Sequence, residues 1–263
     1  MTRFLHLTDL HLSVPTNLAH KSALLDRITT AIPHLRFPPD FVVISGDLSD
    51  RGDVESYTAL QPLLAAFPVP VVLALGNHDK RGNFHTVFGQ PGSDATYDHD
   101  MVLAGMHVIT LDTLVPAHVG GALDAAQLDW LGAALARHPA LPKLIIAHHP
   151  PLSDPNALPW TCLDAGSTAR FAELIEGHQV VAILSGHIHM NRVSLWRGVP
   201  LVVSAGLHSV IDPLHDAGLR IVEGASFGMC QLAAGDLSVN FVPLLPEGRE
   251  LGVIDVARLR AFA

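Results

Sequence analysis

Apolar runs and amphipathic stretches alternate along most of the chain. Residues 41–44, 69–75, 106–111, 144–147, 180–184 and 201–203 are short, rich in β-branched side chains and without regular polar alternation. Such runs predict strands covered on both faces. The first residues, Met1 to His6, read directly into another strand. Between several of these runs the spacing turns helical. Leu24, Leu25, Ile28, Ala31 and Ile32 form one set, and Leu128, Trp130, Leu131 and Leu135 a second, in a segment running from an Asp-x-x-Gln start at Asp124 and Gln127 to Arg137. Thr168, Phe171, Leu174 and Ile175, ending at Gly177, form a third. Strands alternating with helices predict a layered α/β fold, helices covering a sheet or a pair of sheets. Ligands then gather beyond the carboxyl ends of the strands.

Pro150 to Asp164, rich in Pro, Ser, Asp and Asn, predicts a long loop that faces substrate. After about residue 232 the pattern alternates around Val239, Phe241 and Val242 before becoming Pro/Gly-rich, which suggests an edge hairpin or an oligomer contact. With 263 residues and 49% hydrophobic content the chain fits one large domain, 1–263. A formal charge of −9 argues against a long nucleic-acid partner, which calls for a basic face. No apolar run approaches the ~20 residues of a membrane span, and no secretory leader is evident. Cys162 and Cys230 are too few for a disulfide framework, although one bridge stays open. The expectation is a cytoplasmic protein.

Five polar clusters follow apolar runs and carry the candidate chemistry. They are Asp9-Leu10-His11, Gly46-Asp47, Gly76-Asn77-His78-Asp79, His148-His149-Pro150 and Gly186-His187-Ile188-His189. Carboxylate, imidazole and amide oxygen are donors that first-row divalent metals accept. Asp9 and His11, like His187 and His189, are one residue apart, so in an extended segment each pair leaves the same face. Taken singly, each cluster also reads as a turn or a strand end.

The ordered set resembles the calcineurin-like metallophosphoesterase superfamily over residues 4 to about 206. The resemblance implies an αββα sandwich of two mixed β-sheets flanked by helices, with the active site at the carboxyl ends of the strands. It implies that Asp9, His11, Asp47 and His189 hold one metal and that Asp47, Asn77, His148 and His187 hold the other, with Asp47 bridging. The His-x-Pro spacing selects His148 over His149. His78 would sit beside the phosphate as the catalytic histidine, Asp79 would orient it, and a metal-bridging hydroxide would be the nucleophile. The cofactors would be two divalent or mixed-valence ions, with Mn, Fe, Zn and Co all admitted.

Gly46 to Gly52 is also similar to the Gly-Asp-x-x-Asp-Arg-Gly block of serine/threonine protein phosphatases. Here, however, Ala74-Leu75 precede Gly76, where that group carries a phosphate-binding arginine. The wording of the blocks is similar to class III cyclic-nucleotide phosphodiesterases and bacterial glycerophosphodiesterases. This implies a metal-dependent phosphoric diester hydrolase acting on small diesters such as cAMP or glycerophosphodiesters. Alternatives on the same site are a phosphomonoesterase or a nucleotide-lipid pyrophosphatase, and on the same fold a non-catalytic scaffold. Arg81, His85 and His208 are candidate substrate contacts, each of which also reads as a loop residue with a local partner.

Overall fold

The computed structural model describes residues 1–215 and 218–244. The Pro/Gly-rich end of the expected tail, from 245 onward, lies outside them. The first sheet contains β1 (Thr2–Leu7), β2 (Phe41–Ile44) and β3 (Val71–Leu73), all parallel. β12 (Ser226–Ala233) and β13 (Asp236–Pro243) add an antiparallel hairpin beyond β1, in the order β13-β12-β1-β2-β3. The second sheet contains β4 (His99–Leu103), β5 (Met106–Leu111), β6 (Lys143–Ala147), β7 (Val180–Ser185), β8 (Arg192–Trp196) and β9 (Val199–Val203), in the order β4-β5-β6-β7-β9-β8. Its four inner strands are parallel and its two edge strands antiparallel, so both sheets are mixed. A short ribbon of β10 (Val210–Ile211) and β11 (Ile221–Val222) stands apart.

Side-chain alternation shows why the strands are apolar throughout. In β2, Val42 and Ile44 point to one core with Leu25 and Ile28 of α1 (Leu18–Ala31) and with Tyr57 and Leu60 of α2 (Val54–Ala65). Phe41 and Val43 point the other way, into a second core shared with Val108, Leu144, Ile146 and Leu184 of the opposite sheet. Beyond that sheet, Ile145, Ala147 and Ile183 meet Leu131 and Leu135 of α4 (Ala125–Arg137) and Phe171 of α5 (Ala165–Ile175). Helix, sheet, sheet and helix thus form the expected αββα stack, with β2, β5 and β6 buried on both faces along their whole length.

Two helices escaped the periodicity reading. In α2, Asp53 caps Ser56 N, but Pro62 interrupts the segment. The other, α3 (Arg81–Phe88), is only two turns long. The Asp124–Gln127 capping box of α4 is present with both bonds formed. Cys162 and Cys230 are free and buried. No helix of the described residues is long and apolar enough to cross a membrane.

Candidate metal centre

Loops leaving the carboxyl ends of β1, β2, β3, β6 and β7 meet where the two sheets adjoin, and all five clusters lie on them. The first two loops are zipped together by Asp9 N to Gly46 O, His11 N to Asp47 O and Leu12 N to Leu48 O, at 3.0, 3.0 and 3.2 Å. Asp9, His11 and His189 offer donor atoms within 4.8 Å of one another, as do Asp9, Asp47 and His148. Asp47 Oδ2 stands 3.4 Å from His11 Nε2 and 3.3 Å from His148 Nε2, while Asp9 Oδ1 is 3.4 Å from His189 Nε2. Two donors bound at ~2.1 Å to one ion stand roughly 3.0–3.5 Å apart.

The histidines are oriented from behind. His148 Nδ1 donates to Ser45 O at 2.9 Å, His189 Nδ1 to Ser209 O at 3.0 Å and His187 Nε2 to Trp160 O at 2.6 Å. A carbonyl only accepts, so each of these nitrogens carries a proton, and in the neutral ring that a metal would bind the other nitrogen holds the lone pair. For His148 and His189 that second nitrogen is the one facing the carboxylates.

Whether the pocket fits metal ions is answered by what it leaves unpaired. Both His11 ring nitrogens, His148 Nε2 and Asn77 Oδ1 are buried without a hydrogen-bond partner. Orphans gathered this densely would cost stability unless a cation satisfied them. Asp9 and Asp47 are fully buried, which opposes their charge. Even so, His189 and His11 hold Asp9 below the usual carboxylate range, and His148 and His11 hold Asp47 well below it. Burial likewise opposes charge on the rings, yet Asp50, Asp9 and Asp47 lift His11 to about 10, and Asp47 and Asp9 lift His148 to about 9. The field of the pocket calls for positive charge, and its O and N donors suit divalent ions.

The backbone accepts strain to bring the donors together. Asp9, His11, Asp47, His187 and His189 have φ of 49°, 44°, 50°, 73° and 48°, in the left-handed region that side chains other than glycine seldom adopt. Gly76 is needed for close approach, because a Cβ there would overlap Asp47 Oδ1 and stand 2.7 Å from His148 Cδ2.

His78 stands exposed at the rim, its Nδ1 donating to Asp50 O at 2.8 Å and its backbone N–H to Asp47 Oδ1 at 2.9 Å. Asp79 does not orient it, contrary to expectation. Its buried carboxylate turns inward and accepts from Leu48 N, Ser49 N, Gly76 N and Tyr57 Oη. Burial and the nearby Asp47 raise Asp79 to about 6 against the pull of these donors. The residue behind His78 is Asp50, which also places a carboxylate oxygen 3.4 Å from His11 Nδ1. Its only sequence signal was its place in the Gly46–Gly52 block. His149 has both nitrogens engaged, with Thr113 Oγ1 at 2.7 Å and Val119 O at 3.0 Å, which leaves no lone pair for a metal.

Of the three candidate substrate contacts, only His208 lies at the site, its ring 4.6 Å from that of His11. His85 is buried against Ala95 O. Arg81 forms a two-pronged pair with buried Asp112, at 2.7 and 3.0 Å. Arg81→Met would take the paired cation from that buried carboxylate, leaving it the Tyr97 and Leu114 N–H donors, and is expected to lower the unfolding free energy by about 3–5 kcal/mol. Urea unfolding reads this directly, and a loss under ~1 kcal/mol would show that Asp112 needs no cation. Two further residues gave no sequence signal. Lys21 reaches the site's wall from α1, and Trp160, in the long 150–164 segment, holds His187 through its carbonyl.

Fold and pocket together define a metallophosphoesterase. The chain belongs to the calcineurin-like phosphoesterase family, whose model matches residues 2–191. It is 32% identical over 208 residues to a probable cyclic nucleotide phosphodiesterase of Rhodococcus erythropolis, covering 76% of this chain and 69% of that protein. It is 27% identical over 199 residues to a probable glycerophosphodiester phosphodiesterase, GpdQ, of Arcobacter nitrofigilis, covering 74% and 70%. Among solved structures, a dimetal phosphatase from Danio rerio shares the fold with a TM-score of 0.65 at 16% identity, covering 92% of this chain and 98% of that one.

Proposed function

We propose that the chain hydrolyses small phosphodiesters, such as cyclic nucleotides or glycerophosphodiesters, with two metal ions. Asp9, His11, Asp47 and His189 would hold one ion and Asp47, Asn77, His148 and His187 the other. The observation that carries this reading is the convergence of two buried carboxylates with unpaired ring nitrogens and an unpaired amide oxygen beside an exposed histidine. Such ions supply a Lewis acid for the phosphoryl oxygens and an activated water. The protein's residues do the rest. Asp47 Oδ1, fixed by His78 N–H, leaves Oδ2 to face both sides of the pocket. Asp50 O holds His78 Nδ1–H, which leaves Nε2 for the leaving group, and in the doubly protonated imidazolium form Nε2–H would donate a proton or a hydrogen bond there.

The partner is a small diester, and the net charge of −9 weighs against long polynucleotides. The test is a panel of bis(p-nitrophenyl) phosphate, cyclic nucleotides and glycerophosphodiesters set against p-nitrophenyl phosphate, on protein loaded with one defined metal at a time. Diesters are expected to be turned over faster than the monoester. Inactivity on every diester would overturn the reading. His78→Ala is expected to keep both ions, by elemental analysis, and to lower kcat by about 10²–10⁴-fold. Unchanged turnover would remove His78 from the reaction.

A further inference from the structure

Lys21 is a buried lysine with no carboxylate in hydrogen-bond range among the described residues. It lies on the first turn of α1, is 3% exposed, and points Nζ at the wall of the site, where it donates to Leu207 O. The same Nζ stands 3.5 Å from His208 Nδ1. The wall itself is firmly placed: Leu207 N donates to Thr8 O at 3.1 Å, Ser209 O accepts from His189 Nδ1, and Ile211 N donates to His189 O at 3.0 Å. His208 therefore sits on a fixed segment, exposed to solvent, its ring 4.6 Å from that of His11 and 6.0 Å from that of His189.

An ammonium group has three N–H donors and no lone pair, so a ring nitrogen facing it can only accept. Nδ1 of His208 must then be the unprotonated nitrogen, and a neutral ring carries its proton on Nε2, at the far corner from Lys21. We infer that Lys21 is a positioning residue that fixes the tautomer of His208, so that this ring presents Nε2–H to a phosphoryl oxygen of the diester. Burial lowers Lys21 to about 8 while Asp50 and Asp9 oppose the shift, so Nζ keeps its proton at neutral pH. Reaching into the site from a helix that carries none of the donors, it would act on substrate only through His208. The inference rests on the diesterase reading for its substrate, but its first readout does not.

That readout is the tautomer. In ¹⁵N-histidine-labelled, zinc-loaded protein, long-range ¹H–¹⁵N spectra, with His208 assigned by its loss in His208→Gln, should show the Nε2–H form. A wild-type Nδ1–H form overturns the inference without any Lys21 variant having to fold. Lys21→Met keeps the aliphatic stem, should give a mixture of tautomers, and should lower kcat/KM for the diester about 10-fold, the worth of one hydrogen bond. In the His208→Gln background, where no tautomer exists to be set, Lys21→Met should cost less than about 2-fold. An equal loss in both backgrounds would reduce Lys21 to a clamp on Leu207 O and overturn the assignment. If wild-type protein hydrolyses no diester, the proposed function fails instead, and the tautomer alone decides the role of Lys21.

Discussion

Asp47→Asn is expected to empty both metal positions and lower kcat/KM by at least about 10³-fold, some 4 kcal/mol of transition-state stabilisation. The reason is directional. Asp47 Oδ1 accepts from His78 N–H, so an amide there keeps its oxygen on that side and turns its NH2 toward His11 and His148. A donor then stands where the proposed pair of ions would need a shared acceptor, and one negative charge is gone from the centre. Elemental analysis after dialysis should find both ions reduced together. Retention of one full equivalent would contradict a carboxylate shared by two ions.

The second large effect concerns stability. Asp79→Asn is expected to cost about 3–5 kcal/mol of unfolding free energy, comparable to breaking a buried ion pair. One carboxylate oxygen accepts from Ser49 N and Tyr57 Oη, the other from Leu48 N and Gly76 N. Whichever way the amide turns, its NH2 faces two donors. Asp79 thereby ties the loop after β2 to the loop after β3, and both carry donors of the site. Tyr57→Phe, which removes one of the four donors, should cost only about 1 kcal/mol. Denaturant unfolding of both variants tests the ranking, and an Asp79→Asn protein within ~1 kcal/mol of wild type would show that the carboxylate is dispensable.

The layers were legible because burial on both faces leaves a plain mark. Phe41 to Ile44 is apolar at every position since alternate residues serve different cores. α2 was hidden because Pro62 interrupts it, and the Asp53 cap at its start was its one local sign. The residues that meet in the pocket stand out in the sequence because they come in tight local groups, such as Asp9 with His11, whose order carries the family resemblance. Lys21 does not, because it meets Leu207 across 186 positions and nothing local distinguishes it from a surface lysine on a helix. The misreading of Asp79 has a similar cause. The family resemblance implies a partnership with His78, whereas consecutive residues in this turn send their side chains in opposite directions, one to the rim and one into the core.

Of the nine non-glycine residues with positive φ among the described ones, five are candidate metal donors. Each such conformation costs on the order of 1–3 kcal/mol, which the surrounding sheets must supply. Catalytic competence and robustness therefore pull against each other at the same five backbone positions. A descendant of this chain that gave up metal binding could place glycine at Asp9, His11 or His189 and relax. The barrel of fitness is steep in one direction only, because a scaffold gains stability by losing its donors, while a working site must keep its strained loops and find compensation in the three cores around it.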